Sequence, residues 1–171
     1  QPVPRRPAAH RAAGARASGE AFTTAGYLQV TEDERGPVDV AAGAAHLSGS
    51  LEVSRRLSPS ATAFVQASLL GESRENGTPL QTNDTDFQQA SGGADWSGRA
   101  GAVSLRAWYG TQSYHQTFSA LSDDRTGETL TRRQRVPSKA GGLTVQWSRA
   151  AGARHVLVAG AEGRFVRGHS D

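Results

Sequence analysis

Five histidines, His10, His46, His115, His155 and His169, are the imidazoles available for chemistry. No two of them have the spacing that sets metal ligands on one strand face or one helical turn. There is no cysteine, so disulfides and thiolate metal sites are excluded. The one combination with catalytic potential is Ser113 with His115, which share a parity, followed by Asp123 and Asp124. A serine nucleophile needs a histidine base and a carboxylate that orients it, a three-way geometry that spacing alone does not supply. The glycine pairs at 92–93 and 141–142 do not form a phosphate-cradling loop. They interrupt strand patterns, where glycine commonly marks a bend or bulge. Asn76-Gly77-Thr78 and Asn83-Asp84-Thr85 match a glycan-acceptor pattern and read more simply as turn residues in a loop. Nineteen basic residues, of which Lys139 is the only lysine, give a net charge of +3. They are scattered, and only Arg132, Arg133 and Arg135 approach a cluster. A nucleic-acid surface wants a basic patch with interleaved aromatics, so no nucleic-acid partner is expected. Catalytic residues, metals and cofactors are likewise expected to be none.

The elements that would position these residues are strands. Leu47, Gly49, Leu51 and Val53 alternate with Ser48, Ser50, Glu52 and Ser54. Leu143, Val145 and Trp147 alternate with Thr144, Gln146 and Ser148. Successive side chains of a strand point to opposite faces, so these are two-faced ribbons. Strands are expected at about Ser18–Val30, Ala44–Leu57, Ala61–Gly71, Phe87–Trp96, Gly101–Phe118, Gln134–Arg149 and Arg154–Arg167. Tight turns at Ser58–Ser60, Ser97–Arg99 and Ala150–Ala153 separate some of them. Long polar loops, Glu72–Asp86 and Ser119–Arg133, separate others, and Thr31–Asp39 is polar and turn-rich. Trp108 violates the parity of its strand. The expected fold is all-β: an antiparallel up-and-down meander, a partial transmembrane β-barrel of about seven strands.

Composition fits that expectation. Hydrophobic residues are only 36% of the chain, and no run approaches the ~20 apolar residues of a membrane helix. A membrane strand needs only every second residue to be apolar. Trp96 and Trp147 precede short turns, while Tyr109 and Phe165 lie toward the opposite strand ends, all on the apolar parity. Lipid would wet the face of Leu51, Val53, Leu105, Ala107, Val145, Trp147, Leu157 and Ala159, taken as convex. Ser50, Glu52, Ser104, Arg106, Gln146 and Glu162 would face the concave side. The alternation also describes a small soluble β-barrel or sandwich binding module, in which the apolar parity is core. That parity is rich in Ala and Gly, a poor soluble core. An outer-membrane hydrolase built on Ser113 and His115 is the other alternative.

Several phrases resemble a known family. They are Gly26-Tyr27, the stretch from Glu34 to Asp39, the stretch from Glu72 to Asn83, the stretch from Thr131 to Pro137, and Trp147-Ser148-Arg149. Together they are similar to the early barrel of a TonB-dependent outer-membrane receptor. Val3-Pro4-Arg5-Arg6-Pro7 resembles the tail of the plug. The resemblance spans most of the chain from Ser18 onward and rests on loop phrases. Departures are the lack of a plug or TonB box, and an end at His169-Ser170-Asp171 without a terminal aromatic. Such receptors close with about 22 strands around a plug, so a fragment is expected. The absence of methionine and of a signal peptide agrees with that. Residues 1–17 would be a linker resembling the end of the plug, and 18–171 a partial barrel.

The resemblance implies a non-enzymatic protein of the cell outer membrane. It would take up a scarce nutrient of the siderophore, cobalamin, glycan or peptide class. Its partners would be outer-membrane lipid, that unidentified nutrient, and the TonB complex acting through the missing plug. Arg74, Asn76, Asp123, Asp124 and Arg125 are the loop residues that could touch ligand.

Overall fold

Long two-faced segments satisfy their backbone N–H and C=O groups only by pairing with neighbours. In the computed structural model, which describes residues 13–171, they do so strictly in chain order. The strands are β1 (Ala13–Thr24), β2 (Ala44–Ser58), β3 (Ala61–Glu75), β4 (Thr82–Gly98), β5 (Gly101–Leu121), β6 (Glu128–Ala151) and β7 (His155–Gly168). Each pairs antiparallel with the next, giving one seven-stranded sheet with β1 and β7 at its open edges. The sheet is not closed. Ladder lengths run from 12 residues in β1 to 24 in β6. Strands of soluble sheets usually have about 5–6.

Most boundaries differ from expectation in one direction. The sheet grows at the loop end, so the connections Glu72–Asp86 and Ser119–Arg133 shrink to 76–81 and 122–127. Their polar residues still alternate, and pairing continues through them. The first strand shifts the other way: Ala13–Ala17 pair in β1, while 25–43 leave the ladder and form the long connection. The expected linker at 1–17 is thus strand from Ala13. Its earlier part, with Val3–Pro7 and His10, lies outside the described residues. Short turns at 59–60, 99–100 and 152–154 close the opposite end.

Register sorts the side chains. Directly paired residues share a face, and Leu51, Ala67, Ala90, Tyr109, Gly141 and Phe165 form one continuous cross-strand row. Ser54, Phe64, Gly93, Arg106, Thr144 and Glu162 form a row on the other face. The two expected side-chain sets therefore do occupy opposite faces. Among the described residues no hydrophobic side chain is buried. Exposure runs opposite to a soluble sheet: Leu51 (52%), Val65 (63%) and Leu143 (50%) are exposed, while Glu52, Gln66 and Thr144 are half-buried.

The paired glycines do not bulge the strands. Register runs unshifted through them, and the irregularities fall at Arg56/Ser58 and Phe118/Ser119. Rings lie on the glycines instead. A Cβ on Gly141 would stand 2.6 Å from the Phe165 ring, and one on Gly142 would stand 2.5 Å from the Trp108 indole nitrogen. Trp108 breaks parity because its place is on the polar face, against Gly142. Gly93 likewise makes room for Arg106, whose guanidinium lies 5.3 Å from the centroid of Phe64 and grips Asp95 with two 2.8 Å hydrogen bonds.

Candidate functional site

The long connections meet above one end of the sheet. Segment 25–43 folds across the other two: the Val40 N–H donates to Gly77 O (3.0 Å) and the Val38 N–H to Arg125 O (3.2 Å). Glycine is needed where the chains touch. Gly26 has φ 68°, and any Cβ there would collide with the Ala42 carbonyl. Asp39 is the anchor, with a side chain only 2% exposed. One of its oxygens accepts from the Gly36 N–H and from Arg125 Nε, both at 2.8 Å. The other accepts from the second guanidinium arm of Arg125. That pair draws the Asp39 carboxyl down to about 2, chiefly through Arg125 and then through the Gly36 N–H. Arg125 is raised in turn by Asp39.

A folded-state pKa below the unfolded value means stability present above the unfolded pKa and lost as pH falls through the folded one. Between about pH 4 and pH 2 the crown should therefore loosen as Asp39 takes its proton. Amide protection in 25–43, taken relative to the intrinsic exchange rate at each pH, should fall over that window while protection in the strands is kept. Arg125→Ala should give fast loop exchange already at neutral pH. Unaltered loop exchange in that variant would show that the pair holds nothing.

A second anchor is Glu128 at the start of β6. Its Oε1 accepts from Thr78 and Ser119 hydroxyls, both at 2.5 Å, and its Oε2 accepts from the Leu80 N–H at 3.1 Å. Burial pushes this carboxyl up, but the Ser119, Thr78 and Leu80 donors together outweigh it and hold it below its ordinary value. Thr78 is 3% exposed. Gln81 donates to Ser119 (2.9 Å), and the Thr82 N–H donates to Thr117 Oγ1 (2.9 Å). Loop 76–81 is thus pinned to β5 and β6.

The five loop candidates do not converge on one surface. Arg125 is spent on Asp39. Asp124 caps its own turn, accepting from Ser122 Oγ (2.6 Å) and Thr126 Oγ1 (2.9 Å), donors that hold it below the carboxylate range. Arg74 lies at the end of β3, paired with Glu72 on the polar face. The Asn76 N–H closes its loop on Gln81 O (2.9 Å). Asp123 is exposed and, among the described residues, has no side-chain partner. Asp39 and Glu128 carry the crown and were missed. Gly36-Pro37-Val38-Asp39 did signal an Asp-capped turn, but nothing marked Glu128.

Ser113 Oγ and His115 Nε2 do meet, at 2.9 Å. No hydrogen bond joins a carboxylate to His115 among the described residues, and Asp124 is engaged elsewhere. Asp84 is the cross-strand neighbour of His115. Among the described residues no side chain is hydrogen-bonded to His115 in the orienting part that a nucleophilic serine uses.

The apolar face has a sloping edge. At the turn end its limits are Arg55 on β2, Arg149 on β6 and His155 on β7. Arg55 lies in the row that runs from Ala13 through Ala63 to Ala161, whereas His155 pairs with Ala151, far below that row. The edge falls about 20 Å along the strands over about 24 Å of sheet width, a slope of about 40°. At the loop end the limits are Ser73 on β3, then Gln88, Thr111, Lys139 and Arg167 on β4 to β7, which share one cross-strand row. That edge steps down the strands between β3 and β4 and is level from β4 to β7. On β6 the two limits, Lys139 and Arg149, stand about 34 Å apart along the strand. Trp96 and Trp147 share one row beside the lower edge, with the Trp147 indole N–H tied to Ala100 O (2.9 Å). Tyr109 and Phe165 share another near the upper edge, ring centroids 6.3 Å apart.

No protein-family model, curated protein or solved structure matches this chain.

Proposed function

We propose that this sheet is part of the wall of an outer-membrane β-barrel, and that the barrel is a receptor-transporter for TonB-dependent uptake of a scarce nutrient. The apolar band carries the membrane part: its length on β6, about 34 Å, gives about 26 Å of height at a tilt of about 40°. Barrel strands cross a bilayer at about 35–45°, and their lipid-facing band is about 25 Å tall between aromatic girdles. The exposure pattern agrees, since side chains converge on the inner face of a curved sheet, and here the half-buried parity is the polar one. Short turns at one end and a bonded crown at the other match periplasmic and extracellular sides. The receptor part rests on the loop phrases and on the polar inner face with its fixed Arg106–Asp95 pair.

Nitroxide labels test this in the whole membrane-extracted protein that carries the chain. Labels at Leu51, Ala107, Val145 and Ala159 should be relaxed by oxygen and shielded from a water-soluble metal chelate. Labels at Ser50, Ser104 and Gln146 should behave oppositely. Shielding of the first set from both reagents would make the apolar face a protein core and would favour the soluble β-protein.

A further inference from the structure

Rings on the polar face lean one way. Phe64 lies against Gly93, Phe87 against Gly110 and Trp108 against Gly142, each meeting a glycine of the next strand. A Cβ would stand 2.8 Å from the Phe64 ring at Gly93 and 3.7 Å from the Phe87 ring at Gly110. Glycine within a strand permits that close approach. Phe64 is covered in turn by the Arg106 guanidinium, whereas among the described residues no cation lies over Phe87 or Trp108. Both are half-buried, as is Tyr114, which stands above Trp108 on β5, about 20 Å nearer the crown. Trp108, Phe87 and Tyr114 thus climb the inner wall toward the crown.

Amides follow the same climb. Gln66 on β3, Gln89 on β4 and Gln112 on β5 occupy successive rows of the polar face, on a diagonal beside the rings. Gln116 and Gln134 are bonded to Tyr114 and Ser170, but among the described residues these three amides bond to no side chain. From β3 to β6 those rows hold no charged residue. Three ion pairs border them: Arg106 with Asp95 below, Glu162 with Arg164 on β7, and Glu72 with Arg74 toward the crown. Each of those cations is closed on its own carboxylate. The area they enclose is neutral, rich in amide and hydroxyl, and crossed by aromatic rings.

We propose that this part of the inner wall binds a neutral oligosaccharide, with Trp108, Phe87 and Tyr114 as stacking surfaces and Gln66, Gln89 and Gln112 as partners for its hydroxyls. The inference rests on the receptor reading and names the substrate class of that receptor. A sugar ring offers C–H groups on its faces and hydroxyls around its rim. The face of an aromatic ring is the negative pole of its quadrupole and attracts such C–H groups. A side-chain amide both donates and accepts, so one Gln can meet two neighbouring hydroxyls. An anionic chelate would find no free cation in these rows, and an unpaired charge held there would be costly.

The test screens the whole protein in detergent against an array of neutral and acidic hexasaccharides. Neutral members should bind and acidic ones should bind less. Trp108→Ala should weaken the tightest neutral binder about tenfold, and Trp108→Phe should recover most of that loss. Gln112 is exposed, so Gln112→Ala keeps the fold and should weaken binding about fivefold. Ser50→Ala, on the same face but on β2, should leave binding unchanged. Gln112→Cys should react with a water-soluble maleimide, and the saturating sugar should block that reaction. Binding of acidic sugars alone, binding of no sugar, or equal affinity of wild type and both Ala variants would overturn the proposal. An unreactive Gln112→Cys, with or without sugar, would give the wall to the plug instead. Protection by an uncharged hexapeptide and by no sugar would reassign it to peptides. Failure of the outer-membrane assignment itself would appear separately, in the nitroxide accessibilities.

Discussion

Residues 1–171 produced alone are expected to collect in inclusion bodies. Once solubilised in detergent, they should show no sharp cooperative melt. The physical reason is a deficit of burial. Among the described residues no hydrophobic side chain is buried, and Leu47, Leu51, Val65, Leu69 and Leu157 are all more than half exposed. Soluble monomers rarely tolerate a contiguous apolar patch beyond a few hundred Å². Both edges of the sheet are open as well, with β1 and β7 each offering an unpaired row of N–H and C=O groups. Closure is what satisfies such groups in a bilayer. The crown does not compensate, because its anchors Asp39–Arg125 and Glu128–Thr78 are polar contacts, and Val38 and Val40 beside them are only half-buried. Purification as a soluble monomer with a two-state unfolding curve would remove the barrel assignment and put a small soluble β-protein in its place.

Meander order and facing were legible because both depend on alternation and short turns, which are local. Leu51 and Ser50 announce opposite faces by their types alone. Strand ends were less legible, since polar residues alternate equally well in a ladder and in a loop. Thr82–Asp86 and Glu128–Arg133 read as loop by composition and pair as strand by register. The crown was hardly legible. Asp39 and Arg125 are 86 positions apart, and nothing local to either names the other. Gly141 and Gly142 read as a bend, because the rings that lie on them come from Phe165 and Trp108 on the neighbouring strands. The slope of the apolar band was hidden for the same reason: it exists only once the register is known.

That slope yields the most discriminating substitution experiment. Ala63 and Ala161 occupy the same cross-strand row, through Ala94, Leu105 and Val145. If the apolar face were a band perpendicular to the strands, the two positions would be equivalent. With the observed slope, Ala63 lies about 3 Å above the lower edge and Ala161 about 15 Å above it, near the midplane. Arginine on the lipid face of a barrel costs about 2–4 kcal/mol at the midplane and falls to about 0–1 kcal/mol near the interfaces. In the whole protein refolded into vesicles, Ala161→Arg is therefore expected to lose about 2–4 kcal/mol and Ala63→Arg no more than about 1 kcal/mol. Leu at either position adds volume without charge and should leave the protein assembled, which separates electrostatic cost from crowding. Denaturant titration followed by tryptophan emission reads all four variants, since Trp96 and Trp147 flank the lower edge. Equal costs at Ala63 and Ala161 would mean that the strands do not tilt across a bilayer. A large cost at Ala63 alone would place the apolar centre at the turn end, and the sloping band would be lost with it.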